Sequence, residues 1–443
     1  MAQGLAAVPM ALPAAAWGLP VDDDAQRWLA RHAAPIRSLD AADDDFRDLA
    51  PFAQAIGQAR VVQLGEPGHG AGTCFAAKVR LIKFLHQRLG FDVVLWESGL
   101  YDVDLTEAAL RAGEDPVAAA RRGVFALWAN AAEVAPLFGY AQDSLRGGRP
   151  LAMAGLDMQV SARGSVERFA TDLRALAAGI GDAAARSRTA KLAEEMIAAR
   201  ARVFAAMQPA DLGALGSAVD GLLEALRAQR APIAAGIGTA RLRFMTEAIE
   251  NVRADARNRV DRKQGSASPV ELENRRDARN AELARWLIDD VHAGRRIIIW
   301  AHNAHIMNAY YGADFRSVHL APAPDRMKPT GVWLREWLGD DLYTLGTTAY
   351  AGVDQWAAGG KATTIDPAPE ASLEERLHRL GHAQLFLDLR GAARHRVPAL
   401  AALTTARIPK YDTVPLADIA RPYDGLVYID RMAAATRIAE AAP

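Results

Sequence analysis

Residues 60–73 read RVVQLGEPGHGAGT, and this stretch decides how the chain folds. Val61, Val62 and Leu64 form a short apolar run with the look of a buried strand. It passes directly into a glycine-rich turn carrying Glu66 and His69, and a helical stretch follows at 73–89. A second apolar run at 92–97 completes the spacing of a β-α-β unit. The turn is not a phosphate loop of either familiar kind. No Gly-Lys-Ser/Thr closes it, and Gly68, Gly70 and Gly72 are followed by Thr73 where a dinucleotide fingerprint needs its next glycine. The glycines instead let the backbone turn sharply at the end of a strand. Glu66 and His69 are thereby aimed into the crevice where open α/β sheets place ligands.

Outward from this unit, further strand-like runs lie at 150–157, 296–301, 342–347, 384–389 and 425–429. Together they predict an α/β fold with a mostly parallel central sheet flanked by helices. Between 165 and 291 the composition shifts to Ala, Leu, Arg and Glu with apolar positions three and four apart, which predicts a large inserted helical region. The expected organisation is a flexible N-terminal extension at 1–30 and a first part of the core at 31–164. The helical insertion follows at 165–291, and the second part of the core occupies 292–443. The charge-dense stretch around 253–280 mixes signs and is broken at 265–269, so it is read as a solvated helix pair joined by a loop. Residues 351–372, rich in Gly, Ala and Pro, are read as a loop, either a lid or a surface connection.

The balance of 52 Lys+Arg against 53 Asp+Glu gives no general field to attract nucleic acid or anionic lipid, so neither is an expected partner. One cysteine rules out an intrachain disulfide and a thiolate zinc cluster. The first twenty residues contain Ala-x-Ala but lack a basic n-region, and three prolines interrupt them. A cytoplasmic location without a spanning helix is the expectation.

The second strand ends in Glu97, and the run at 296–301 opens into AHNAHI, which contributes His302 and His305. Three strand ends distant in sequence therefore deliver Glu66, His69, Glu97, His302 and His305 to one edge of a parallel sheet. A strand-terminal Glu or a single His has an ordinary structural explanation; five such groups at one edge point to a catalytic site.

In this order, the GExxHG turn at 65–70, Glu97, GLDMQ at 155–159, HNAH at 302–305 and LREWLGDDLYTLG at 334–346 resemble the erythromycin esterase family. SLEERLHRLG, LFLDLRG and YDGLVYIDRM resemble its closing segments. The resemblance, covering about 57–432, implies an ester hydrolase, with a macrolide lactone as one substrate class and antibiotic resistance as the associated role. It implies that His69 is the general base activating water and that Glu66, Glu97, His302 and His305 line the same site. Two departures bear on specificity. The family arginine on the helix after the turn is Lys78 here, which keeps the charge but loses the two-pronged donor. Arg80, two helical steps on, faces elsewhere. The family's Arg-Asp-x-x-Met-Ala-x-Asn stretch is only partly kept in RRDARNAELARWL, with Asn280 and Leu283 at the Met and final Asn positions.

Lys78, Asn303 and Trp128 are the expected substrate contacts, with Trp128 read equally as a core residue. No cofactor is expected. Two alternatives stand beside this reading: a hydrolase using Zn or Mn on the same His/Glu cluster, and a protein that binds a macrolide-type ligand without turnover. Ser98 and Cys74 are weaker nucleophile candidates, since no Gly-x-Ser-x-Gly elbow is present.

Overall fold

The computed structural model describes residues 23–162, 165–310, 327–407, 410–416 and 418–439. Its strands are β1 Ala34–Pro35, β2 Val61–Leu64, β3 Phe91–Gly99, β4 Ala152–Asp157, β5 Arg296–Trp300, β6 Leu342–Asp354, β7 Thr363–Ile365, β8 Gln384–Asp388, β9 Thr405–Arg407, β10 Thr413–Pro415 and β11 Gly425–Met432. The main sheet runs β1-β8-β11-β6-β2-β5-β3-β4, with β7 paired to β6. From β11 to β4 every neighbour is parallel, while β8, β1 and β7 pair antiparallel. This is the expected α/β architecture.

Alternation along the central strands explains why helices cover both faces. Val62, Leu64, Val94, Trp96, Ile298 and Trp300 pack into one core, while Val61, Val93, Leu95, Ile297 and Ile299 pack into the core on the opposite face. The insertion has a third core of its own, built around Leu173, Met196, Val219, Leu222 and Ile249.

The topology places the site. From β2 the chain crosses over β5 through the helix Gly72–Leu89 to reach β3, and from β5 it crosses back over β2 to reach β6. Connections leaving adjacent parallel strands in opposite directions open a crevice between their carboxyl ends. His69 follows β2 and His302 follows β5, so both stand at that crevice.

Three expectations are corrected. Asp23–His32 is a helix that buries Ala25, Trp28 and Leu29, so an extension cannot reach residue 30; residues 1–22 lie outside the described ones. The loop read at 351–372 is in part a hairpin. β6 continues to Asp354, and Thr363–Ile365 returns against it. Nor is the charge-dense helix pair merely solvated. Thr239–Gln264 ends on Gly265 with φ +65°, and Ser268 caps the helix Pro269–Trp286 by accepting from Glu271 N. That second helix nevertheless buries Asp277 and Asn280 completely. Among the described residues no helix is long and apolar enough to cross a membrane.

Candidate active site

Glu66 is fully buried beneath the turn after β2, and three donors converge on its carboxylate. Oε1 accepts from His69 Nδ1 at 3.0 Å and from Trp128 Nε1 at 2.9 Å, while Oε2 accepts from Lys78 Nζ at 2.7 Å. A buried carboxylate is tolerable only when charged and polar partners replace its water, as they do here. The carboxylate makes Nδ1 the donor and leaves Nε2 toward the cavity, where about a quarter of the His69 side chain is accessible.

This geometry reassigns the three expected substrate contacts. Lys78 is enclosed under Glu66, donates also to the Ala301 carbonyl and lies 4.0 Å over the Trp300 ring. Trp128 is buried as well, its indole N–H spent on Glu66. Asn303 is a structural pin: its amide donates to the Thr347 carbonyl at 2.8 Å, and its oxygen accepts from Thr347 N at 3.2 Å. The same oxygen would lie 2.1 Å from a Cβ at Gly65, so glycine is required there. All three residues act below the cleft surface. Arg80 points away from them, holding Asp48 through both oxygens.

His302 caps a single short turn, Asn303–Ile306, and His305 lies within it, so that turn brings both to the cleft. His302 Nδ1 accepts the Ala304 N–H at 3.0 Å, so its proton is on Nε2, 3.3 Å from the Pro67 carbonyl. Burial first, then the nearby His69, hold its pKa well below the ordinary range, and the ring is neutral.

His305 has the opposite character. Its Nδ1 is 2.9 Å from Asp277 Oδ1, and Nε2 lies 3.2 Å from Arg276 Nη1 and 3.5 Å from Glu97 Oε1. Burial works against a charge on this ring, but Asp277 and Glu97 outweigh it and raise the pKa to about 9. Protonated, the ring donates to Asp277 and faces Glu97; deprotonated at Nε2, it accepts from Arg276.

Arg276 ties this half together. Nη2 reaches Glu97 Oε1 at 2.8 Å and Asp157 Oδ2 at 2.5 Å, while Glu97 Oε2 accepts the His302 backbone N–H at 2.7 Å. Burial opposes ionisation of Glu97, yet His305 and Arg276 hold its carboxyl far below the usual range. Arg276, Asp277 and Asp157 were not singled out as site residues from sequence. A signal existed in the helical spacing of Glu273, Arg276, Asp277 and Asn280, which puts polar groups along one face of the helix.

His69, His302, His305 and Arg276 open onto a cavity of about 660 Å³, which Asp354 and Trp356 of the β6–β7 hairpin also line, beside the His69 turn. The two weaker nucleophile candidates serve structure. Ser98 Oγ accepts from Phe125 N, and burial pushes the Cys74 thiol up to about 12. Among the described residues no three His, Cys, Asp or Glu side chains converge to hold a metal ion. Glu66 and Glu97 are instead committed to cations and N–H donors.

Residues 86–432 match the sequence model of the Erythromycin esterase family, more than three quarters of the chain. The chain belongs to the erythromycin esterase family. The match takes in Glu97, Arg276, His302 and His305; Glu66 and His69 precede it and join them through the fold. This erythromycin esterase family member is 26% identical over 378 residues to YbfO of Bacillus subtilis (strain 168), a protein named only provisionally as a hydrolase, covering 82% of this chain and 80% of that one. Among solved structures it resembles a succinoglycan biosynthesis protein (TM-score 0.72, 17% identity, 95% and 99% of the two chains). It also resembles a Bacillus cereus protein (0.71, 19%, 94% and 99%). A His-to-Asn variant of the erythromycin esterase EreC in its open conformation aligns at TM-score 0.64 with 16% identity over 90% and 97%. At these identities the structural likeness establishes the shared fold.

Proposed function

We propose that this family member hydrolyses a carboxylic ester by direct attack of water, with His69 as the general base; a macrolide-type lactone is the first substrate to test. The family name and the provisional name of the Bacillus subtilis relative support hydrolysis. The observation that carries the reading is the Glu66–His69 pair, in which a fully buried carboxylate holds Nδ1–H and leaves Nε2 facing the cavity.

In the proposed reaction His69 Nε2 takes a proton from water as the water oxygen bonds the ester carbonyl carbon. The carbonyl electrons move onto oxygen, and the resulting oxyanion is met by His305 and Arg276, the N–H donors that this cluster turns toward the cavity. As the intermediate collapses the carbon–alkoxide bond breaks, and the proton on His69 Nε2 passes to the leaving oxygen. His302, neutral with both nitrogens engaged, positions the turn rather than transferring protons. Lys78 acts through Glu66, by keeping a cation against the carboxylate that orients the base.

Mass spectrometry of a macrolide panel and a simple ester panel, with the wild type and His69→Ala and with and without chelator, tests this. Gain of one water, lost in the variant and indifferent to chelator, is the expected result. Chelator-sensitive turnover on stoichiometric bound metal would replace the His-activated water with metal hydroxide. Ligand-induced stabilisation without any mass change would make the protein a binder.

A further inference from the structure

Trp356 is among the most exposed of the large apolar side chains described, about half accessible, and it stands at the mouth of the cavity that contains His69. Its ring lies edge-on to the His69 imidazole at 6.0 Å between centroids. A single exposed apolar side chain is ordinary; what sets Trp356 apart is its place, lining the cavity against the His69 imidazole with its apolar face open to a ligand.

It is held firmly. Gln355 N donates to the Gly70 carbonyl at 3.2 Å, Gly359 N donates to the Trp356 carbonyl at 3.0 Å, and the next residue, Ala357, is buried in the core. A Cβ at Gly70 would lie 2.3 Å from the Gln355 carbonyl carbon, so glycine beside His69 is what permits this backbone-to-backbone seat. The backbone that carries the indole is therefore fixed relative to His69.

Apart from Trp356 itself and Ile365, the hairpin side of this wall is polar. Asp354 accepts from the Tyr411 hydroxyl at 2.9 Å, and Thr363 and Thr364 line the same cavity from β7, opposite Asp354 and Val353 in the hairpin register. A flat apolar plate beside carboxylate and hydroxyl groups suits a ligand with a C–H face and a rim of hydroxyls. An unsubstituted aromatic ring would strip water from the exposed Thr363 and Thr364 hydroxyls without replacing it, whereas Asp354 and Tyr411 already satisfy one another.

We infer that Trp356 is the specificity plate of this site, seating a saturated, hydroxylated ring of the substrate, either a sugar carrying the ester or the hydroxylated face of a cyclic ester. The inference rests on the esterase reading for its chemistry, but ring binding can be measured without turnover.

The first arm compares kcat/KM for methyl 6-O-acetyl-glucoside, erythromycin, cyclohexyl acetate and pentyl acetate in the wild type, Trp356→Phe and Trp356→Ala. With Trp356→Ala, at least one hydroxylated-ring substrate loses about ten-fold relative to pentyl acetate, carried mainly by KM, while Trp356→Phe retains most of the preference. Loss by the glucoside ester identifies a sugar, and loss by erythromycin identifies a cyclic ester. An equal fall for all esters, or none, overturns the inference. The second arm follows binding of methyl glucoside and of erythromycin to His69→Ala by ligand-observed NMR, with and without Trp356→Ala. Binding that depends on Trp356 sustains the plate even if no ester is turned over. Absence of binding, or binding indifferent to Trp356, rejects it whatever the esterase assay gives.

Discussion

The two halves of the cleft use the same side chain in opposite ways. On the β2 side, His69 meets one carboxylate, Glu66, whose charge is already shared with Lys78 and Trp128, and its second nitrogen stays open to the cavity. On the β5 side, His305 is enclosed by Asp277, Glu97 and Arg276, and it carries a proton at neutral pH. The difference teaches that two carboxylates can outweigh burial and hold a proton on His305, while a single carboxylate engages one nitrogen of His69 and leaves the other toward the cavity, which is what the proposed mechanism uses.

The sharpest way to break that comparison is to remove each ring in turn. His69→Ala is expected to lower kcat/KM by about 10²–10⁴ while the melting temperature holds, because a partly exposed turn residue contributes little packing. If His305→Gln matches that loss and His69→Ala is mild, the two roles are reversed. Next in size is Arg276→Met, which leaves Glu97 and Asp157 buried without their shared cation. It should destabilise the fold by about 3–5 kcal/mol, read from the urea midpoint, whereas a change confined to activity would make Arg276 a substrate contact only.

Asp277→Asn sharpens the comparison through pH. The folded-state pKa of His305, about 9, lies above the ordinary value of 6.5. The stabilisation from its proton is therefore complete below about pH 6.5 and is lost as pH rises through about 9. Removing the Asp277 charge should move the alkaline fall of kcat/KM and of stability to lower pH by about one unit or more. An unmoved profile would mean that another group sets that limb. The smallest effect is expected from Lys78→Arg. Lys78 does not reach the cleft, so ester selectivity should be unchanged, with a modest fall in melting temperature as the larger guanidinium crowds Trp300.

The β2 half of the site was legible in sequence because strand, turn and chemistry are adjacent: a glycine-rich break after Val61–Leu64 brings Glu66 and His69 together, Glu66 beneath the turn and His69 at the cavity. Glu97, His302 and His305 were legible because parallel strands share a carboxyl edge. Arg276 and Asp277 were not singled out, because RRDARN sits among similar charges, although the polar spacing along the helix and the kept Arg-Asp pair of the family stretch were signals there. How the helix Pro269–Trp286 docks against β4 decides which of those charges turns inward. Lys78, Asn303 and Trp128 were correctly drawn near the site but given the wrong depth, since sequence does not distinguish a residue lining a cleft from one supporting its floor. The β6–β7 hairpin was hidden by its Gly and Ala content, which masks strand periodicity where Gly352 and β7 meet the sheet edge.

Glu97 binds the backbone N–H of His302 with one oxygen and the side chain of Arg276 with the other. Those partners leave the ribosome roughly two hundred residues after Glu66 and His69. The base is no earlier: β2 pairs with β5 and β6, and Lys78 beneath Glu66 rests on Ala301 and Trp300, so the turn carrying His69 also waits for strands made far downstream. On the proposed mechanism, hydrolytic capacity arrives late and all at once during synthesis, and an incomplete chain is chemically silent toward the esters around it.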